Sequence, residues 1–173
     1  MSDKAGDRGA GDSSFFALYT QQAREVIVSA QAEARAMGHA YIGAEHVLLG
    51  LLRVEGSVAR KVLNDLGIVL QQARAEVRRR VDQGSVPDGT KPPRDGRLAF
   101  SPQTKAVLER TALEARKLGD DRHIGTEHLL LTLVGEGSSA LEEMLNNEGA
   151  VSGTVRNEIM RQIGCGNDET DAR

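Results

Sequence analysis

Two stretches of the sequence are near copies of one another: IGAEHVLLGLL at Ile42–Leu52 and IGTEHLLLTLV at Ile124–Val134. The similarity extends to both sides of this pair, upstream to Tyr19–Gly38 against Phe100–Gly119 and downstream to Ser57–Gly67 against Ser139–Gly149. The second repeat is longer than the first by one residue, which lies in the loop that precedes Ile124. Self-similarity along a whole unit indicates an internal duplication, so the fold is built from two equivalent repeats.

Each repeat has the apolar spacing of helices. The first segment places six small or apolar residues on one helical face, and the last carries an i, i+4 stripe. These residues are Ala23, Val26, Ile27, Ala30, Ala34 and Met37 in the first segment, then Val69, Ala73, Val77 and Val81 opposite Val151, Val155, Ile159 and Ile163 in the last. No segment alternates as a strand does. The fold class predicted is therefore all-α, with four helices in each repeat and eight in total.

Helix boundary signals occur at matching places in the two repeats. Thr20 and Ser101 stand where an N-cap belongs, and Pro102 suits a first turn. Gly38 and Gly119 follow the same helices and are natural C-terminal stops. The Leu-rich helices that follow are predicted to be central, with a buried set formed by Leu48, Leu51, Leu130 and Leu133.

Composition divides the chain and limits its partners. We predict a polar leader at 1–14, a first repeat at 15–83, a Pro/Gly-rich linker at 84–98, a second repeat at 99–164 and a tail at 165–173. The net charge of −3 gives no basic field for nucleic acid or anionic membrane. Cys165 is the single cysteine, and no run of about 18 apolar residues occurs, so a cytoplasmic protein is expected.

Motifs of known catalytic chemistry are missing from the sequence. It contains no phosphate-binding GxxxxGK[ST] loop, no GxSxG elbow and no HExxH pair, so we expect no enzyme, no cofactor and no metal. The four histidines are interpreted as packed residues, two of them at helix starts: His39, His46, His123 and His128. A small metal-dependent hydrolase that uses these histidines and the motif glutamates stays open as an alternative.

A basic run at Arg78–Arg80 leaves a second alternative open, a nucleic-acid-binding regulator. The run lies on the helix that carries Val77 and has acidic neighbours at Glu76 and Asp82. No aromatic residue is interleaved for base stacking, so a solvated helix face is the favoured interpretation.

The most suggestive polar residues are Glu45 and Glu127, each in the first turn of a Leu-rich helix. A carboxylate there interacts favourably with the helix dipole, so stabilisation of the helix is one interpretation. The other is a ligand site, because free backbone N–H groups at a helix N-terminus attract anions. A ligand with both a guanidinium and a phosphate would suit the combination of carboxylate and N–H groups.

The repeated pattern resembles the N-terminal domain of the Clp AAA+ unfoldases, specifically the ClpC type. The resemblance rests on YTQQAREVI after Phe16, the two Gly-x-Glu-His-x-Leu-Leu motifs and FSPQTKAVL after the linker. It implies an eight-helix bundle of two pseudo-twofold-related repeats. It also implies a non-catalytic module that docks adaptors, unfolded substrates or a Clp ATPase ring and recognises phosphoarginine on proteins marked for degradation.

The resemblance also assigns residues. Glu45 and Glu127 match the glutamates that hold the guanidinium of phosphoarginine. Further positions match hydroxyl groups near those sites, namely Thr20, Ser101 and Thr126, and a face that accepts cyclic-peptide antibiotics in relatives, namely Phe16, Arg24, Phe100 and Lys105.

The sequence departs from the family pattern at a few sites. Ala44 replaces the usual Thr of the first motif, and Gln22 and Gln103 stand where the family commonly has Arg. No ATPase module follows the second repeat in this sequence. We therefore expect a stand-alone protein, rather than an excised domain, that acts as an adaptor or as a decoy.

Overall fold

The computed structural model describes residues 16–82, 98–119, 123–136, 139–150 and 152–165. The predicted leader at 1–14, the predicted linker apart from its last residue Leu98, and the tail beyond Cys165 lie outside the described residues.

The described residues form eight α-helices after a short 3₁₀ turn at Phe16–Leu18. The first repeat contains α1 (Gln21–Ala36), α2 (Ala44–Arg53), α3 (Val58–Asp65) and α4 (Leu70–Asp82). The second contains α5 (Pro102–Lys117), α6 (Thr126–Gly135), α7 (Ser139–Asn147) and α8 (Ser152–Cys165). The all-α prediction of two four-helix repeats is confirmed. No helix in the described ranges is long and apolar enough to cross a bilayer.

The predicted helix boundaries follow from local chemistry. Thr20 Oγ1 accepts from the N–H of Ala23 at 3.2 Å, and Ser101 Oγ accepts from the N–H of Thr104 at 3.1 Å. Each hydroxyl satisfies one donor that a helix N-terminus leaves unpaired. At the other end, Gly38 has φ +72°, a backbone conformation that side chains disfavour and that ends α1.

The Leu-rich helices α2 and α6 form the centre of the molecule. Each packs against the first helix of its own repeat, and the two also contact each other across the repeats. The four predicted core leucines, Leu48, Leu51, Leu130 and Leu133, are all 0% exposed. The two repeats therefore share one hydrophobic core.

The apolar stripe predicted for the last helix of each repeat is buried at its centre, but its first residue in the first repeat is exposed. Ala73, Val77, Val155 and Ile159 are buried, and Ile163 is half-buried. Val69 is 46% exposed, because α4 begins only at Leu70 and the preceding residue is turned out of the helix face. Val151 and the side chain of Val81 lie outside the described residues.

Short parallel pairings between the repeats were not anticipated. Strand β1 (Tyr41–Ile42) pairs with β2 (Ala99–Phe100), and Tyr19 bridges to Ile124 in the same way. Two residues are too few to produce an alternating pattern, so the sequence carries no signal for them. Each pairing ties the segment before the first helix of one repeat to the segment before the Leu-rich helix of the other.

Candidate functional site

Glu45 is the second residue of α2, and its carboxylate folds back over the N-cap residue Gly43. A β-carbon built on Gly43 would overlap that carboxylate. Glu127 and Gly125 repeat the arrangement at the start of α6. Glycine at the N-cap therefore leaves the space that each carboxylate occupies at the helix N-terminus, where backbone N–H groups and the helix dipole favour an anion.

The carboxylate of Glu45 is not fully satisfied in this position. Its Oε1 atom is buried and has no hydrogen-bond partner among the described residues. Burial raises the pKa of Glu45, and a hydrogen bond from its own backbone N–H opposes that rise. A buried carboxylate oxygen with a free acceptor position is costly for folding and suits a site that receives a donor from a ligand.

Histidines follow both glutamates and cap the same helix starts. Nδ1 of His46 accepts from the N–H of Gly43 at 2.8 Å, and Nδ1 of His128 accepts from the N–H of Gly125 at 2.9 Å. Both rings are buried, which confirms the interpretation of these two histidines as packed residues of helix starts. Since Nδ1 accepts in both rings, Nε2 is the ring nitrogen that carries a proton.

In the first repeat the ring of His46 has a second partner. Its Nε2 lies 2.6 Å from Nδ1 of His39, and the tautomer set by Gly43 makes His46 the donor. Burial, with a smaller contribution from His39, lowers the pKa of His46 to about 3, and burial also lowers the pKa of His39. Both rings are therefore neutral at pH 7, and the loop before β1 is tied to the start of α2.

At each candidate site, the start of a helix from one repeat lies beside the Gly-x-Glu-His motif of the other repeat. The N–H of Thr20 donates to the carbonyl oxygen of Ile124 at 3.0 Å, and the N–H of Ser101 donates to that of Ile42 at 3.0 Å. Thr20 of the first repeat therefore adjoins the motif of Glu127, and Ser101 of the second adjoins the motif of Glu45. Each candidate site combines one helix start from each repeat.

Thr126, the third predicted hydroxyl, lies in the packed interior. Its side chain is buried, and its Oγ1 accepts from the N–H of Ala59 at the start of α3, at 3.4 Å. This bond joins α6 to the first repeat, and Ala44 at the equivalent position cannot make it. The hydroxyl of Thr126 thus already has a partner inside the protein.

The residues predicted for a peptide or antibiotic face are in part brought together. The rings of Phe16 and Phe100 lie 6.5 Å apart, and Phe16 packs edge-on against Tyr19 at 5.0 Å. Arg24 and Lys105 are exposed one turn into α1 and α5. Nε of Arg24 donates to the carbonyl oxygen of Tyr19 at 2.9 Å.

The structure gives little support to the two alternative functions, a nucleic-acid-binding regulator and a metal-dependent hydrolase. Arg79 and Arg80 both pair with Glu76 of their own helix and with Glu143 of α7, and Arg78 is exposed. Across the described ranges, no three His, Cys, Asp or Glu side chains converge as metal ligands would. His123 is exposed.

The described residues form a helical module of two repeats that share one core, each with a carboxylate at a helix N-terminus. Residues 18–167 match the Clp repeat (R) N-terminal domain, and the chain belongs to that family. It is 40% identical over 155 residues to the chloroplastic chaperone protein ClpC1 of Arabidopsis thaliana, covering 90% of this chain and 16% of that protein. The chain thus spans about a sixth of the length of that relative.

Two solved structures have the same fold. The N-terminal domain of ClpD from Arabidopsis thaliana aligns with a TM-score of 0.64 and 22% identity, covering 86% of this chain and 96% of that one. A complex of the ClpV N-domain with a VipB peptide aligns with a TM-score of 0.58 and 17% identity, covering 78% and 81% of the two chains. The family assignment from the sequence is confirmed.

The sequence did not reveal the contribution of Gly43 and Gly125 to the sites. Their signal is the invariant spacing of Gly two residues before Glu in both motifs, which is typical of a close approach to the backbone. The bond between His39 and His46 had no signal, because Asp120 stands opposite His39 in the second repeat and the pair exists in one repeat only.

Proposed function

We propose that this chain is a non-catalytic protein-binding module of the Clp protein-degradation system that recognises phosphoarginine on marked proteins. The observation that carries the proposal is the pair of composite sites, each with a glutamate over a glycine N-cap and a hydroxyl-bearing helix start from the other repeat. Chemistry of this kind suits a ligand with a cationic and an anionic end.

The two ends of phosphoarginine would engage different groups. The guanidinium offers several N–H donors to a carboxylate such as that of Glu45, whose Oε1 has no partner among the described residues. The phosphate suits the backbone N–H groups of α2, which the folded-back carboxylate now covers. Binding would therefore swing Glu45 away from Gly43, so that the phosphate replaces the carboxylate at the helix N-terminus.

A cation one helical turn beyond each N-cap hydroxyl would support the phosphate half. Arg24 follows Thr20 by one turn of α1, and Lys105 follows Ser101 by one turn of α5. These cations would offset Gln22 and Gln103, which stand where the family commonly has Arg. We expect the two sites to be similar in chemistry and unequal in strength.

The face around Phe16 and Phe100 is proposed to receive unfolded substrates, adaptors or cyclic peptides. Its paired aromatic rings are flanked by the exposed cations Arg24 and Lys105. The ClpV N-domain, which shares the fold, has been solved with a VipB peptide. We further propose that the chain acts as an adaptor or decoy toward a Clp ATPase ring, and that it works in a reducing compartment, the cytoplasm, given its single cysteine.

Calorimetric titration of phosphoarginine, arginine and phosphoserine tests the proposed ligand. Phosphoarginine should bind most tightly, because it alone presents both a guanidinium and a phosphate. Equal affinity for the three compounds would refute a specific phosphoarginine site, and the chain would then bind its clients by the Phe16 and Phe100 face alone.

A further inference from the structure

An ion triad joins three helices of the first repeat. Glu33 of α1 is 2% exposed, and its carboxylate accepts from Nη1 of Arg53 at 3.1 Å and from Nε of Arg74 at 2.9 Å. Burial alone would raise the pKa of Glu33, but the hydrogen bonds and charges of Arg74 and Arg53 outweigh it and lower the pKa. The two arginines come from the end of α2 and the middle of α4, so the triad fills the space where α1, α2 and α4 meet.

The second repeat has the same residue types at two of these three positions, although Glu114 pairs with Lys117 in the structure. Glu114 and Arg156 correspond to Glu33 and Arg74, whereas Gly135 stands in the position of Arg53. A β-carbon on Gly135 would meet no atom within 4 Å. Between α5, α6 and α8 lies an open groove of about 390 Å³, lined by Glu114, Gly135 and Arg156 among others.

The walls of the groove carry carboxylates whose present partners are exposed. The side chains of Glu114 and Glu136 are 21% and 22% exposed, and they pair with Lys117 and Arg110, which are 67% and 64% exposed. Ion pairs of such exposed cations are weak because water competes for both charges. Lys117 and Arg110 line the same groove, so an incoming cation has to displace them from Glu114 and Glu136. Leu113 on the same wall offers apolar surface to an aliphatic stem.

We propose that this groove binds an arginine side chain of a partner protein, which enters the position that Arg53 occupies in the first repeat. Arginine suits the site better than lysine because its planar fork can reach two carboxylates at once. Arg156 also lines the groove, and in the first repeat its counterpart Arg74 shares the carboxylate of Glu33 with Arg53. The groove is separate from the helix N-termini and requires no phosphate.

The test uses acetyl-arginine amide as probe, titrated into the whole chain and followed by nuclear magnetic resonance of backbone amides. We expect saturable shifts at Gly135 and Leu113, and binding about tenfold to a hundredfold weaker for the uncharged citrulline analogue. Gly135→Arg fills the groove with the protein's own side chain and should abolish these shifts. Gly164→Arg adds the same charge at another exposed position and should leave them unchanged.

A second variant keeps the test decisive if Gly135→Arg folds poorly. Glu136→Gln should weaken binding of the arginine probe, whereas Glu109→Gln, on the exposed face of α5, should not. Binding of phosphoarginine at the helix N-termini should persist in Gly135→Arg, so failure here is distinct from failure of the proposed function. The proposal is overturned if acetyl-aspartate amide shifts Gly135 and the arginine probe does not, or if Glu136→Gln and Glu109→Gln bind the probe alike.

Discussion

The backbone N–H of Thr20 donates to the carbonyl oxygen of Ile124, 3.0 Å away and in the other repeat. Ser101 and Ile42 form the equivalent bond on the opposite side. The start of α1 is thereby fixed beside the motif of Glu127, and the start of α5 beside the motif of Glu45. Each of the two proposed sites therefore draws residues from both repeats.

This exchange predicts which residues act together in ligand binding. Thr20→Ala and Glu127→Gln should show a coupling energy in phosphoarginine affinity, because both lie at one site, whereas Thr20→Ala and Glu45→Gln should be additive. Thr20→Ala also removes an N-cap, which costs about 0.5–2 kcal/mol of stability, so Thr20→Ser serves as the control that keeps the hydroxyl. Coupling of Thr20 to Glu45 instead would contradict the composite sites.

The Glu45 carboxylate is expected to reduce the stability of the free protein. Burial raises its folded pKa above the unfolded value, so its ionised form destabilises the fold at neutral pH. Glu45→Gln should therefore raise the unfolding free energy at pH 7 and lose this gain below about pH 4.5, where glutamate is protonated in both states. Thermal unfolding across this range measures the effect.

Glu142→Gln is the matched control for that substitution. Glu142 also lies in the first turn of a helix but is exposed, so the change removes only a favourable dipole contact worth about 0.3–1 kcal/mol. If Glu45→Gln destabilises the protein as much as Glu142→Gln does, the only role of the Glu45 carboxylate is to stabilise the N-terminus of its helix.

Acid should weaken the fold through His46. Its folded pKa of about 3 lies below the ordinary value near 6.5, so the folded state binds fewer protons than the unfolded chain. Its contribution to stability is complete above about pH 6.5 and falls as the pH is lowered towards 3, by up to about 1.4 kcal/mol per pH unit.

The variant His46→Gln isolates this contribution from that of Glu33, whose lowered pKa also costs stability in acid. Glutamine is a normal capping residue at this position and can accept from Gly43, so the variant should fold. Denaturant titrations should give a flatter pH profile for His46→Gln than for wild type. Identical profiles for wild type and His46→Gln would contradict the buried, neutral state of His46.

The central position of α6 predicts a large cost for shortening Leu130. The side chain is 0% exposed, and Leu130→Ala should reduce the unfolding free energy by about 2–5 kcal/mol. Leu113→Ala, at a position 53% exposed, should change it by about 0.5 kcal/mol or less. Equal effects of the two substitutions in denaturant titrations would mean that α6 is not the core helix.

The sequence predicted the helices and the core because those depend on local periodicity and on capping residues. Thr20, Ser101 and the leucines of α6 carry their signals within one or two turns of chain. The pairing of Thr20 with Ile124 has no such signal, since a match between repeats does not say which copy supplies the neighbour. Thr126 was assigned to the ligand from its place in the motif, and only packing shows that its hydroxyl bonds to Ala59.

The groove at Gly135 illustrates the same limit. Alignment of the repeats places Gly135 opposite Arg53. The sequence does not show what the absence of an arginine at this position changes, because only the structure shows that Arg53 is bound to the buried Glu33. Ion partners far apart in the chain, here Glu33 and Arg74, leave no periodic trace in the sequence.

Both motif glutamates are expected to be essential for the proposed binding of phosphoarginine. Calorimetric titration of phosphoarginine into the wild-type chain should give two sites, and Glu45→Gln or Glu127→Gln should each remove one. The double variant should bind no phosphoarginine and stay as helical as wild type by circular dichroism, while Glu142→Gln keeps both sites. Undiminished binding by the double variant would contradict the account.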